Sequence, residues 1–293
     1  MNISDLQNID KKSMFKTYDI WPDIARESFE TENEKFDVKE IDHVVFAGMG
    51  GSGSIGDAVS AILSKNDIHV SNVKGYLIPK TVDSKTLVVV TSVSGNTVEA
   101  LTVLNSAKDT DAKIVSFSSG GEMESFSKKN NIFYKKIPMM HSPRASFPSF
   151  LFSILNILEP ILPIKKMDIK ESLTKLEKTK MNIFSENLTL ENKSLQLANF
   201  LKNIACIYYP VGLQSAAIRY KNSLQENAKM HVIAEDVIEA CHNGIVPWEN
   251  NGDVSPVFIQ GQDDYVKTKE RWKILEEFFE LNNIEYYKIN SLD

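Results

Sequence analysis

A chain of 293 residues with 42% hydrophobic content is long enough for one large packed domain or two of medium size. Its formal net charge of −6 and its scattered basic pairs, such as Lys11-Lys12 and Lys165-Lys166, exclude nucleic acid as the main partner, because binding a phosphate backbone needs concentrated Lys and Arg. No apolar run reaches the ~20 residues of a membrane helix, and Met1-Asn-Ile-Ser-Asp5 lacks a secretory pattern, so a soluble cytoplasmic protein is expected.

A helical segment around Ile20–Ala25 comes first, with Pro22 suited to a first turn. Short apolar runs then alternate with amphipathic ones. Strands are predicted at Val44–Ala47, His69–Val73, Leu87–Val90, Lys113–Phe117 and Ile132–Tyr134, with helices at Ile55–Leu63, Val98–Leu104, Glu122–Lys129 and Phe147–Leu158. Pro160 and Pro163 interrupt the pattern, and a Lys-rich stretch runs on to about Asn187. A boundary is expected there, giving domains 1–160 and 161–293. In the second half Ile204–Tyr209, His231–Ala234, Val257–Gln260 and Ile284–Ile289 read as strands, with helices over Gln214–Ala228 and Val266–Leu281. Such alternation implies an α/β protein with parallel, doubly wound sheets flanked by helices. Cys206-Ile-Tyr-Tyr-Pro-Val-Gly212 weakly echoes the strand and turn of Val44 to Gly53, which suggests two copies of one unit.

Two turns carry the chemistry. Gly48-Met-Gly-Gly-Ser-Gly-Ser-Ile-Gly56 lies between a strand and a helix, where glycine lets the backbone approach a ligand and a helix N-terminus favours an anion. Gly48, Gly50 and Gly53 match the dinucleotide fingerprint, so a nicotinamide dehydrogenase has to be weighed; the acid expected at the end of the next strand is missing, and Lys74 stands there. The second turn, Thr91-Ser-Val-Ser-Gly-Asn-Thr97, also ends a buried strand. One hydroxyl there would be a helix cap; several suggest more. Ser52 from one turn and Ser92, Ser94 and Thr97 from the other, with the Gly51 amide, can surround one phosphate monoester at the sheet edge where open α/β folds bind ligands. Neither turn contains Lys or Arg, so hydrogen bonds and dipoles would hold the anion.

The paired "GMGGSGS" and "SVSGNTVEAL" resemble the phosphosugar-binding SIS (sugar isomerase) fold, and "SPRASFPSFLFSIL", "QENAKMHVIAED" and "CHNGIVPWE" resemble the archaeal-type bifunctional phosphoglucose/phosphomannose isomerases. The resemblance spans most of residues 15–290 and implies two tandem SIS domains. It also implies a metal-independent aldose–ketose isomerase that needs no cofactor and interconverts glucose 6-phosphate and fructose 6-phosphate, with mannose 6-phosphate as a second substrate. In that family the segment matching Glu226 supplies the proton-transfer base, the one matching His242 assists ring opening, and Arg144 matches the arginine that stabilises the enediolate. These types suit the chemistry: a carboxylate can take and return a proton, imidazole titrates near neutrality, and guanidinium stays charged. Glu235, Asp236 and Glu239 are rival carboxylates near Glu226. The family also implies a homodimer whose sites are completed by the partner's histidine. It continues past its last strand into a helix carrying a lysine and a nearby threonine; the sequence here stops at Asp293, so neither is assigned. A sugar-phosphate sensor without catalysis is the alternative. The histidines, and the cysteines Cys206 and Cys241, show no metal spacing.

Overall fold

The computed structural model describes residues 1–34, 36–250 and 252–291. The chain divides into two compact units, Met1–Leu188 and Thr189–Asp293. In the first, α1 (Ile3–Ile9), α2 (Met14–Asp19) and α3 (Trp21–Glu30) precede β1 (His43–Ala47), α4 (Gly50–Leu63), β2 (His69–Val73), β3 (Thr86–Thr91), α5 (Val98–Ala107), β4 (Lys113–Ser118), α6 (Gly121–Lys129), β5 (Phe133–Lys136), α7 (Phe147–Ile157) and α8 (Lys166–Ile183). The strands form a five-stranded sheet in the order β2-β1-β3-β4-β5, every pairing parallel.

Why β1 and β3 occupy the centre follows from their composition. Both are fully buried, with apolar runs at Val44–Ala47 and Leu87–Val90, and a parallel strand covered on both faces needs no polar alternate. Side chains alternate across the pleat. Val44, Phe46, Leu87 and Val89 pack with Ile55, Val59 and Phe150 on one face, while Val45, Ala47, Val88 and Val90 meet Val103, Leu104 and Met123 on the other. Each such side chain contributes roughly 1.5–3 kcal/mol when fully buried.

The second unit holds α9 (Lys193–Phe200), β6 (Ile204–Tyr209), α10 (Gln214–Ser223), β7 (His231–Asp236), α11 (Val237–Ala240), β8 (Val254–Gln260), α12 (Val266–Leu281) and β9 (Tyr287–Asn290). Its parallel four-stranded sheet runs β7-β6-β8-β9, the same sequential order as the first four strands of the larger sheet. Helices again cover both faces, with Ala205 and Ile207 in one cluster and Cys206 and Tyr208 in the other.

Three expectations shift. The compact division falls after Leu188 rather than after residue 160, because Ile161, Leu162 and the α8 residues Ile169 and Leu173 join the first core. The many lysines of α8 hide this stripe in the sequence. The glycine run is less of a loop than expected, since Gly50 already opens α4. The last strand starts at Tyr287, three residues later than Ile284. Among the described residues no helix is long and apolar enough to cross a membrane.

Candidate active site

The strand order creates a switch point in the first sheet. From β1 the chain turns through α4 to β2 on one side, and from β3 through α5 to β4 on the other. The turns after two adjacent strands therefore diverge and leave a crevice at their C-terminal ends, the place where open α/β sheets take ligands. Ala47 pairs with Val90 in register, so Gly48 and Thr91 begin neighbouring turns. A small cleft beside Gly48, Ser52 and Gly53 is walled on the β2 side by Asn72, Val73 and Lys74 and reaches Thr91, the last residue of β3. The two sequence motifs are thus brought together.

In the first turn Met49 is the N-cap of α4, and Ser52 sits in its opening turn, where amide groups lack intrahelical partners. A β-carbon on Gly53 would lie 2.8 Å from the Gly48 carbonyl oxygen, and one on Gly56 would lie 2.8 Å from Phe46 Cβ. These glycines let α4 start directly against β1, which explains most of the dinucleotide-like spacing. Gly51 faces open space. Ser54 is fully buried, and its hydroxyl donates to the Gly50 carbonyl at 3.2 Å.

In the second turn Ser92 is 2% exposed. Its Oγ accepts from the Gly95 amide at 3.1 Å and lies 2.8 Å from Thr97 Oγ1. Ser92 therefore braces the turn and orients Thr97, the N-cap position of α5. Ser94 is exposed beside it.

One cation does reach the first turn, although the turn itself carries none. Lys74, just past β2, has its Cε 3.4 Å from where a Gly53 β-carbon would be. Its Nζ donates to the buried Asp57 carboxylate at 2.6 Å, and Asn72 Nδ2 approaches the other oxygen at 3.3 Å. The pair ties the end of β2 to α4. Where a dinucleotide enzyme would present an acid to ribose, this chain has a lysine already bound to its own aspartate. Sequence reasoning missed Asp57; its signal was an acid at the eighth position of an otherwise small and apolar helix.

Arg144 lies on a short 3-10 turn, Pro143–Ser146, ahead of α7. Trp21 Nε1 donates to the Ala145 carbonyl at 2.9 Å, and the Ser146 hydroxyl closes on the Ser142 carbonyl at 2.8 Å, so the turn carrying Arg144 is fixed at both sides.

In the second unit Glu226 occupies a π-helical turn, Leu224–Ala228, that widens the end of α10; such insertions recur at functional sites. Lys229 follows in the left-handed region at φ 56° and donates its Nζ to the Glu226 carbonyl at 2.7 Å. Of the rival carboxylates, Asp236 caps α11 through the Ile238 and Glu239 amides, and Glu235 lies beside Gly244. His242 is exposed in the turn after α11, its amide bonded to the Glu239 carbonyl at 2.9 Å. The same turn is tied to β6, for the Tyr208 hydroxyl meets the Gly244 carbonyl at 3.4 Å and accepts from Trp248 Nε1 at 2.7 Å. Burial holds the Tyr208 phenol far above its ordinary pKa, so it stays a donor. Glu226 precedes the six residues of β7 and His242 follows them, so the structure sets these two toward opposite ends of one strand.

Burial also pushes the Cys206 thiol up to about 11 and raises that of Cys241, which leaves both as thiols rather than nucleophilic thiolates. Among the described residues no group of three or more His, Cys, Asp or Glu side chains is placed to hold a metal.

Comparison with known proteins identifies the family. The bacterial phospho-glucose isomerase C-terminal SIS domain matches residues 190–292. A bifunctional phosphoglucose/phosphomannose isomerase of Caldicellulosiruptor bescii is 32% identical over 260 residues, covering 85% of this chain and 74% of that protein. The chain belongs to the bifunctional phosphoglucose/phosphomannose isomerase family. Another protein of that name, from Aquifex aeolicus, is 31% identical over 226 residues, 76% of this chain and 67% of its own. The fold extends beyond the phosphoglucose/phosphomannose isomerases: the crystal structure of glucosamine-6-phosphate deaminase from Thermotoga maritima superposes with a TM-score of 0.71 at 15% identity, covering 95% of this chain and 84% of that one.

Proposed function

We propose that the chain is an aldose–ketose isomerase acting on hexose 6-phosphates, interconverting glucose 6-phosphate or mannose 6-phosphate with fructose 6-phosphate. The observation that carries this reading is the adjacency of the two donor turns at the switch point, on a chain whose relatives bear that name. The phosphate takes the Gly51 amide and the hydroxyls of Ser52, Ser94 and Thr97, with Ser92 holding Thr97 in place. The N-termini of α4 and α5 add favourable dipoles, and the neighbouring Lys74 is engaged by Asp57. His242 assists ring opening at the sugar oxygen. Glu226 then carries a proton between C1 and C2, and Arg144 stabilises the charge on the enediolate oxygens.

The homodimer belongs to the same proposal. Glu226 and His242 lie toward opposite ends of β7, so a second copy of the chain can bring its histidine where its own copy does not. The enzyme is a soluble cytoplasmic protein whose chemistry requires neither nucleic acid nor a membrane, and no metal enters its mechanism. A coupled assay with glucose 6-phosphate and mannose 6-phosphate, run with a chelator present, tests the reading. Turnover of either sugar that survives the chelator supports it. Tight sugar-phosphate binding without turnover would make the chain a sensor instead.

A further inference from the structure

The serine turn does not stand alone. Behind it, at the end of β4, a third turn of similar composition runs Ser118-Ser-Gly-Gly121 into α6, and it locks onto the serine turn residue by residue. The Ser119 amide and hydroxyl both donate to the Val93 carbonyl, at 3.0 and 2.7 Å. The Met123 amide donates to the Gly95 carbonyl at 2.9 Å. The Glu122 amide donates to Asn96 Oδ1, also at 2.9 Å. Gly95 has φ +72°, and a β-carbon there would lie 1.8 Å from the Gly120 carbonyl oxygen; Gly121 also has φ +72°, and a β-carbon there would lie 2.5 Å from Asn96 Oδ1 and 2.6 Å from the Ser94 carbonyl oxygen. Only two bare glycine faces allow the turns to approach so closely.

This arrangement has a directional consequence. In a trans peptide the C=O and the following N–H point opposite ways. With the Val93 carbonyl drawn toward the third turn, the Ser94 amide faces away from it, toward the crevice. The amides at and just before the start of α6 thus take up the Val93 and Gly95 carbonyls and Asn96 Oδ1, while the Gly95 amide is held inside the serine turn by Ser92.

Asn96 is the one side chain of the serine turn that reaches across this seam, so we propose that Asn96 is a positioning residue, which sets the phosphate-binding turn by anchoring it to the start of α6. It touches no reacting atom. The inference rests on the phosphate reading above, and it predicts a defect in phosphate binding rather than in chemistry.

The test uses the full chain, with inorganic phosphate and fructose 6-phosphate as probes in titration calorimetry and fructose 6-phosphate in the coupled assay. For Asn96→Ala, loss of the anchoring bond weakens binding of both probes by roughly 3- to 10-fold and raises KM to match, with kcat within about twofold and the melting temperature nearly unchanged. Gly121→Ala presses on the same carboxamide and also on the Ser94 carbonyl of the serine turn, and it too raises KM. The double variant is less than additive, since the carboxamide that the added methyl strikes is gone; Asn96→Ser serves as the readout should Asn96→Ala not fold. Unchanged binding in both variants overturns the role of Asn96 while leaving the phosphate site intact, and so does a fall in kcat at constant KM. Failure of the unaltered protein to bind either probe removes the phosphate site and this inference together.

Discussion

The two units share a strand order, yet among the described residues the first alone has hydroxyl-rich turns after both of its matching strands. After β1 the chain runs Gly48-Met-Gly-Gly-Ser, while after β6 it runs Pro210-Val-Gly-Leu-Gln. Pro210 has no amide to give, and Val211 is 87% exposed. After β3 come Ser92, Ser94 and Thr97; after β8 come Gly261-Gln-Asp-Asp264. There Asp264 accepts from the Gly261 amide at 3.1 Å and from Trp272 Nε1 at 3.0 Å, so a carboxylate closes the turn that hydroxyls open in the first unit. One scaffold therefore carries the proposed anion cradle in one unit and a carboxylate-closed turn in the other, depending on a few residues at two strand ends. The second unit carries Glu226 and His242 elsewhere, at a helix end and in the turn after α11.

The sharpest way to break this division of labour is to disable the second unit's two residues separately. Glu226→Gln and His242→Ala should each lower kcat by roughly 10²–10⁴ while leaving phosphate binding intact, because the cradle belongs to the other unit. If a two-fold copy completes each site, mixing the two dead proteins under subunit exchange restores about a quarter of normal activity: half the dimers are hybrids, and each hybrid has one intact site. No recovery after demonstrated exchange would mean that both residues serve within one chain.

A second test gives the first unit the chemistry of the second. Ser94→Asp places a carboxylate where β8 is followed by Asp263 and Asp264. Like charge against a phosphate, screened by solvent at the exposed Ser94, costs about 1.4–2.8 kcal/mol, so KM for fructose 6-phosphate and the dissociation constant of inorganic phosphate should rise roughly 10- to 100-fold. Calorimetry with phosphate alone reads the effect without turnover. An unaltered affinity would place the anion elsewhere.

How much of this could be read from the sequence follows the range of the interaction involved. The apolar runs Leu87–Val90 and Ile204–Tyr209 marked central strands, because burial on both faces leaves no polar alternate. Ser52, Ser94 and Thr97 stood out because hydroxyls clustered after a buried strand are locally unusual. The seam between Gly95 and Gly120, by contrast, joins residues far apart in the chain, and nothing near Asn96 reveals that its carboxamide meets Glu122. The lysine-rich face of α8 concealed Ile169 and Leu173, two residues too sparse to be legible as a core stripe. Lys74 was visible as a departure from the dinucleotide pattern, but its partner Asp57 was not.

The Lys74–Asp57 pair is where the first unit differs again, for it ties the edge strand to the helix that carries the glycine turn. Removing one partner of a buried pair leaves the other charge uncompensated, at a cost of 3–5 kcal/mol when both are fully buried. Lys74 is 40% exposed at its side chain and Asp57 5%, so solvent screens part of that cost. Lys74→Ala should lower stability by about 1–3 kcal/mol in urea unfolding. A midpoint equal to the unaltered protein's would show that the pair is incidental.

The smallest effect concerns the opposite edge of the first sheet, where β1, β2 and β3 begin. His43, 6% exposed, lies 3.0 Å from the Ser71 hydroxyl and 3.4 Å from that of Thr86, with its ring 4.9 Å from that of His69. Burial lowers its pKa below the ordinary 6.5; the charge on His69 adds to this, and Asp83 and Asp42 oppose it in part. The unfolded chain therefore takes up a proton more readily than the folded one. Stability must fall as pH drops below about 6.5, levelling once the pH passes the folded pKa, with a slope from this one group of at most about 1.4 kcal/mol per pH unit. The matching edge of the second sheet begins with Ile204, His231 and Val254, and its histidine is exposed on an edge strand rather than buried on a central one. Urea midpoints between pH 7.5 and 5 should decline less steeply for His43→Gln than for the unaltered protein, and equal slopes would move the source of any acid sensitivity away from His43.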